Sequence, residues 1–479
     1  MKQLSTSLKL SNMNGFVKAK IIFISFIASF IFNTSIYAQS YTDNDKIFYI
    51  SQIWKDALCK FHSPEYLNTI HWDSLYVSYL KKAISCQNDD EYYLIMREFL
   101  AKLDDGHSDL NYDYFNHSKT DFIPIELKSI NNDYYILGVE NSLLEKVPLG
   151  SKIIKVNNMP IQEYLDRYIM QYSFGHTLHD RIRRALPLLC SSIKTNDSLT
   201  CQITTPKGQI REVVLKYDAL KRNIHRKDMI GTKFSSINYS SSTGTYLTKD
   251  NNRKDYYYLR LDNFDKSHIS NTMHREESNI LKAKYIVLDL RHNTGGSELE
   301  ADSLLMCFLK LDTLVTYKSL TRKDNAFFSA MGYGYPQYKD YYKGLAMDTL
   351  PADTLYKKDL PLFTQPLFVL IGEDTYSAAE DFLITLKLHF PKRAILIGMP
   401  TGGSTGAPFV RNLPYHHSSY RICTRKPCLP KGLFDNGIQP DIFYEMNIED
   451  HLKGTDRIYN IIEQTYKKME ATKSLSQIR

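Results

Sequence analysis

The chain has 479 residues, so two or three compact units are expected rather than one. Hydrophobic residues at 43% and charged residues at 24% exclude a fibrous or intrinsically disordered chain. The net charge of +7 comes from dispersed lysines rather than one basic stripe, so nucleic acid is not an expected partner.

The first 38 residues read as a secretory signal. Lys2, Lys9, Lys18 and Lys20 precede the apolar run Ile21 to Phe32, and a cut after Ala38 meets the small-residue preference at one of its two positions. The run is shorter than the roughly 20 residues of a spanning helix, so export to the periplasm or cell envelope is expected over an uncleaved N-terminal anchor. The seven cysteines, at 59, 86, 190, 201, 307, 423 and 428, form no disulfide framework, although Cys190 with Cys201 or Cys423 with Cys428 could form a single bridge. Their spacings do not point to zinc, and no H-E-x-x-H pair occurs, so no metal is expected.

Residues 43–118 form the next unit. Phe48, Ile53, Trp54, Leu58 and Phe61, then Leu75, Tyr79 and Leu80, then Tyr92, Ile95, Phe99 and Leu103 recur at helical steps, and Asp104-Asp105-Gly106 ends the pattern. Residues 119–217 carry short strand-like runs divided by turn residues, as expected of a small β domain. Its stretch Pro148 to Asn158 resembles the centre of a PDZ domain. Residues 218–254 are polar and aperiodic, as a linker would be. From 255 to 450, strand-like Tyr256 to Leu261, Tyr285 to Leu290 and Leu367 to Ile371 alternate with helical segments, so an α/β core is expected. Residues 451–479 are left as a C-terminal helix or tail.

Chemistry concentrates in two strand-to-helix turns of that core. In Leu370-Ile371-Gly372-Glu373-Asp374-Thr375-Tyr376-Ser377-Ala378-Ala379-Glu380, the Ser377 hydroxyl falls at the start of a helix, where free backbone N–H groups and the helix dipole stabilise an anion. An ordinary N-cap serine would look the same in isolation. In Ile286-Val287-Leu288-Asp289-Leu290-Arg291-His292-Asn293-Thr294-Gly295-Gly296, paired glycines let backbone approach a substrate closely, or simply make a tight turn with Asp289 and Arg291 as an ion pair. Gly398-Met399-Pro400-Thr401-Gly402-Gly403-Ser404 is not a phosphate loop, because no Gly-Lys-Ser/Thr follows.

Together with L-D-D-G-H-S ending at Ser108 and N-G-I-Q-P-D-I ending at Ile442, these segments occur in the order seen in the tail-specific (C-terminal-processing) serine peptidases, which the chain resembles from about Leu103 to Ile442. The resemblance implies a ClpP/crotonase-like core with an N-terminal helical domain and an inserted PDZ-like β domain. It further implies peptide-bond hydrolysis of protein or peptide substrates, Ser377 as nucleophile, and the N–H groups of Gly295 and Ala378 as oxyanion hole. No organic cofactor is implied. The lysine that serves as base in one branch is replaced here, with Ser404 at its position, and Lys387 lies nearly three turns along the helix from Ser377. A serine hydroxyl needs a base, and histidine has the most suitable ordinary pKa. His107 matches the base of the branch resembling the tricorn core protease, and Asp435 is the nearest carboxylate to the place of the acid that orients it. His292 has no role that the resemblance supplies. The competing reading is a non-catalytic peptide- or ligand-binding protein on the same scaffold; an esterase would share the Ser-His chemistry.

Overall fold

The computed structural model of the protein describes residues 40–111, 122–191, 198–217, 224–226, 234–240, 245–250, 256–264, 269–323, 336, 346–357, 359–415 and 417–476. The expected signal segment lies outside them. Among the described residues, no helix is long and apolar enough to cross a membrane.

The helical pattern of the N-terminal unit is realised as helices Asp43–Lys60, Pro64–Thr69, Trp72–Ser85 and Asp89–Ala101. The first begins at Thr42, which forms a reciprocal capping box with Asp45, and the last at Asn88, whose side chain accepts the Glu91 N–H. Their inward faces bury Ile50, Ile53, Trp72, Tyr92, Phe99 and Leu100, with Trp72 stacked on Phe99 at 4.2 Å.

The following unit is an antiparallel sheet in the order Ile125–Ile130, Asp133–Glu140, Lys152–Val156, Ser198–Thr204 and Ile210–Lys216. Helices Ile161–Tyr168 and Leu178–Leu189 contribute Ile161, Leu165, Ala185 and Leu186 to its core, against Ile136, Val156 and Ile203.

The third unit is built on a seven-stranded sheet. Ile442–Phe443, Ala394–Gly398, Leu367–Ile371, Tyr285–Asp289 and Tyr256–Leu261 run parallel, and Thr245–Asp250 and Phe234–Ser240 extend it antiparallel. Its central strands Tyr285–Asp289 and Leu367–Ile371 are buried along their whole length, as a parallel sheet covered on both faces requires. Helices Glu298–Cys307 and Ala378–His389 cover one face with Leu304, Leu305, Phe382 and Leu383, and Ile458 and Ile462 of the C-terminal helix Ile458–Ser476 cover the other. The stretch expected to be linker is different: its described parts, 224–226, 234–240 and 245–250, are all strands. A strand added at a sheet edge is held by main-chain hydrogen bonds, which leave no mark in apolar periodicity.

A small sheet joins the first and third units and sets the site. Leu110–Asn111 pairs with Ser419–Cys423, which pairs with Pro408–Asn412, in a register of Leu110 opposite Tyr420. Asp56 of the first helix reinforces the join, accepting from Arg411 Nε at 2.6 Å and Tyr420 Oη at 2.5 Å.

Candidate active site

Strand Leu367–Ile371 ends in the turn 372–377, which is folded on itself by the Thr375 hydroxyl. That oxygen accepts the Gly372 N–H at 3.0 Å and donates to the Leu290 carbonyl at 2.8 Å, tying the turn to the neighbouring strand end. Ser377 then adopts φ 56° and ψ −125°, a conformation costly for any residue with a Cβ. Its N–H donates to the Ser404 carbonyl at 3.2 Å, and the Tyr376 N–H to the Asn293 carbonyl at 2.9 Å, so the strained residue is pinned from both flanking loops. The consequence is a sharp elbow that presents a half-buried hydroxyl above the helix Ala378–His389.

That hydroxyl meets His107. Ser377 Oγ lies 3.1 Å from His107 Nε2, although the two residues are 270 apart in sequence. The other ring nitrogen, Nδ1, lies 2.7 Å from Ser404 Oγ. In the tautomer that accepts at Nε2, Nδ1–H donates to Ser404. The ring stacks on Tyr376 at 4.9 Å with 11° between planes, and a Cβ on Gly106 would lie 1.8 Å from the Tyr376 hydroxyl oxygen, so only glycine fits before the histidine. The segment carrying His107 is held by the small sheet: Arg421 N–H donates to the Asp109 carbonyl at 2.8 Å, Arg421 Nε to the Asp109 carboxylate at 2.7 Å, and Cys423 N–H to Ser108 Oγ at 2.9 Å. His107 is only 4% exposed, and burial pushes its pKa down to about 4, only partly opposed by the nearby Asp105 carboxylate. The imidazole is therefore neutral at neutral pH.

Ser404 is in turn fixed by Glu380, which is fully buried one turn into the same helix. Glu380 accepts from Thr401 Oγ1 at 2.5 Å and from the N–H groups of Gly403 at 2.8 Å, Ser404 at 3.0 Å and Ser377 at 3.3 Å. This side chain locks the glycine-rich turn to the serine elbow; burial raises its pKa to about 8, against the Thr401, Gly403 and Ser404 donors.

Of the residues singled out from sequence, Ser377, His107, Gly295 and Ala378 converge. Gly295, at φ +94°, lies so close that a Cβ would sit 2.5 Å from Ser377 Cβ and 3.0 Å from Ala378 N, which explains the glycine. Its N–H, however, donates to Asn293 Oδ1 at 2.9 Å, whereas the Ala378 N–H opens the helix, where no intrahelical acceptor exists. Asp435 is not brought to His107. It is exposed and accepts the Gly432 N–H at 3.0 Å, closing its own turn, and a hydroxyl, Ser404, occupies the position on Nδ1 expected for a carboxylate. Lys387 pairs with Asp441, and exposed His292 with Asp374 at 3.2 Å. Sequence reading missed the parts played by Ser404, Glu380 and Tyr376; the last two stand inside T-Y-S-A-A-E, where the three-residue spacing from Ser377 was the available signal for Glu380. All seven cysteines are free thiols.

Beside His107 a cavity of about 320 Å³ runs between the helical unit and the glycine-rich turn, lined among others by Phe61, Tyr66, Leu103, Ser404 and Phe434.

Residues 255–444 match Peptidase family S41. The fold is similar to that of mature CPAF in complex with lactacystin, with a TM-score of 0.65 and 15% identity over 90% of this chain and 98% of that one. Mature CPAF itself superposes with a TM-score of 0.65 and 15% identity, over 87% of this chain and 95% of that one. No curated protein sequence matches the chain.

Proposed function

We propose that the chain, residues 255–444 of which match Peptidase family S41, is a serine-type peptidase acting on protein or peptide substrates, with Ser377 as its nucleophile and His107 as its general base. The observation that carries this reading is the 3.1 Å approach of His107 Nε2 to the hydroxyl of a serine in a strained elbow. As Ser377 Oγ attacks the scissile carbonyl, His107 takes its proton and later gives it to the departing amine; water, deprotonated by the same ring, releases the acyl group. The Ala378 N–H stabilises the oxyanion, joined by the Gly295 N–H once Asn293 Oδ1 yields it. Ser404 is a positioning residue. It holds the imidazole in the productive tautomer, and as a neutral hydroxyl it supports the imidazolium less than a carboxylate would.

We further propose a ClpP/crotonase-like core, an inserted PDZ-like domain, and export to the periplasm or envelope. The parallel sheet with its serine elbow supports the first reading. A seven-stranded antiparallel sheet with two packed helices supports the second, and the sequence before Ser40 the third. The substrate would be an extended segment or C-terminus of an envelope protein.

The test is covalent labelling of the purified protein with a fluorophosphonate probe, with lactacystin as competitor because a protein of the same fold is found in complex with it. Wild-type protein is expected to label, and Ser377→Ala and His107→Ala are expected not to. Folded wild-type protein that never labels would instead favour a non-catalytic peptide-binding role.

The depressed pKa of His107 gives a second expectation. In metal-free enzyme, kcat/KM should hold through pH 6 and fall on an acid limb near pH 4, rather than near the 6.5 of free imidazole. The unfolded chain binds this proton first as pH drops, so folded stability declines between about pH 6.5 and 4 and is retained above. An acid limb at 6.5 would remove His107, as placed here, from the role of base.

A further inference from the structure

We propose that His62, Asp105 and Cys423 form a zinc site beside the turn that carries His107. Three separate elements supply them: His62 follows the first helix, Asp105 belongs to the turn that carries His107, and Cys423 ends strand Ser419–Cys423. Their nearest imidazole nitrogen, carboxylate oxygen and sulfur all lie within 4.8 Å of one another. Among the described residues they are the one group of three histidine, cysteine or acidic side chains gathered this closely.

Hydrogen bonds from backbone N–H groups hold this triangle in place. The His62 N–H donates to the Cys423 carbonyl at 3.2 Å, the Cys423 N–H to Ser108 Oγ at 2.9 Å, and the His107 N–H to Asp105 Oδ1 at 2.9 Å. His62 is also oriented as a ligand would be. Its Nδ1 lies 2.7 Å from Ser63 Oγ, so with a proton on Nδ1 the lone pair of Nε2 faces Asp105 Oδ2, 3.3 Å away. An outer hydrogen bond that fixes the tautomer and aim of a ligating histidine is the usual companion of a metal site.

A nitrogen, an oxygen and a sulfur donor suit zinc among the common ions, because calcium and magnesium take oxygen alone. Bond lengths of about 2.0–2.3 Å place the donors of a tetrahedral zinc ion roughly 3.3–3.8 Å apart, so closure takes about an ångström of side-chain movement. Cys423 loses its thiol proton to solvent as the sulfur–zinc bond forms, giving up its present contact with the Arg425 carbonyl at 3.4 Å. Three protein ligands leave a fourth position for water, and His62 and Asp105 both line the 320 Å³ cavity from which it would come. Bound zinc would thus tie together three segments that meet at the His107 turn.

The test is titration of chelator-treated, untagged protein with cobalt(II), which reports tetrahedral geometry and thiolate ligation by absorption and is displaced by zinc. One equivalent should give intense visible bands and a thiolate-to-cobalt charge-transfer band in the near ultraviolet. Cys423→Ser should lose that band, His62→Ala and His62→Gln should lose stoichiometric binding, and Ser63→Ala should weaken affinity by about 10- to 100-fold. Circular dichroism of each variant controls for folding. Wild-type protein without the charge-transfer band, or a band that survives in Cys423→Ser, would overturn the site.

Discussion

Ser377→Ala is expected to lower kcat/KM on a peptide substrate by roughly 10⁴- to 10⁶-fold, and adding His107→Ala to that variant should cost almost nothing more. The two side chains act as one unit: without a hydroxyl there is no proton for Nε2 to take, and without the ring the hydroxyl is a poor nucleophile. Alanine keeps the Cβ of serine, so the backbone at φ 56° bears the same strain in both proteins and a large change in stability is not expected. The check is a double-substitution cycle measured with active-site-titrated enzyme and a fluorogenic peptide. Losses that multiply instead of saturating would mean that the two residues serve separate steps.

The second large effect lies under the site. Arg291 donates to Asp289 through Nη2 at 2.7 Å and Nε at 3.0 Å, and to Asp456 through Nη1 at 2.7 Å; Asp289 also accepts from Tyr258 Oη at 2.7 Å. This ion pair ties the end of a central strand to the residues just before the C-terminal helix. Arg291→Met leaves two carboxylates buried without their cation, which costs about 3–5 kcal/mol for breaking a buried pair of this kind. Burial opposes ionisation of Asp289, but Arg291 and Tyr258 outweigh it and hold its carboxyl well below the usual range. The sign follows: this contribution is present above the ordinary aspartate pKa of about 3.9 and is lost as pH falls below it. Urea melts at pH 7 should show the full loss in Arg291→Met, and the gap to wild type should narrow toward pH 3. Equal stability at pH 7 would mean that the cluster contributes no net stability.

Much of this was legible in the order of residues because the signals are short-range. Helical spacing from Phe48 to Leu103 reports one buried face, and apolar strands such as Leu367 to Ile371 report a covered sheet. A polar turn between such a strand and a helix puts Ser377 at a helix start, and the family resemblance singles it out there from an ordinary N-cap. Gly295 is legible for the same reason, since paired glycines after an apolar strand signal a close backbone approach.

Convergence was decided elsewhere. His107 could be put forward from sequence only through family resemblance, because its distance from Ser377 depends on Leu110 pairing with Tyr420, a contact with no local trace. The same pairing sets Cys423 beside Asp105 and His62, a grouping invisible to cysteine spacing. The family resemblance placed a carboxylate, Asp435, near the orienting position, but its turn closes on Gly432 and the ring turns to Ser404 instead. Residues 234–240 and 245–250, too polar to read as strands, became strands because an open sheet edge offered main-chain partners. The sequence by itself determined the elements, the serine elbow and the glycine beside it, since propensity, periodicity and turn chemistry act over a few residues. Tertiary structure alone decided which side chains share a hydrogen bond across hundreds of residues, because that follows from strand register and packing.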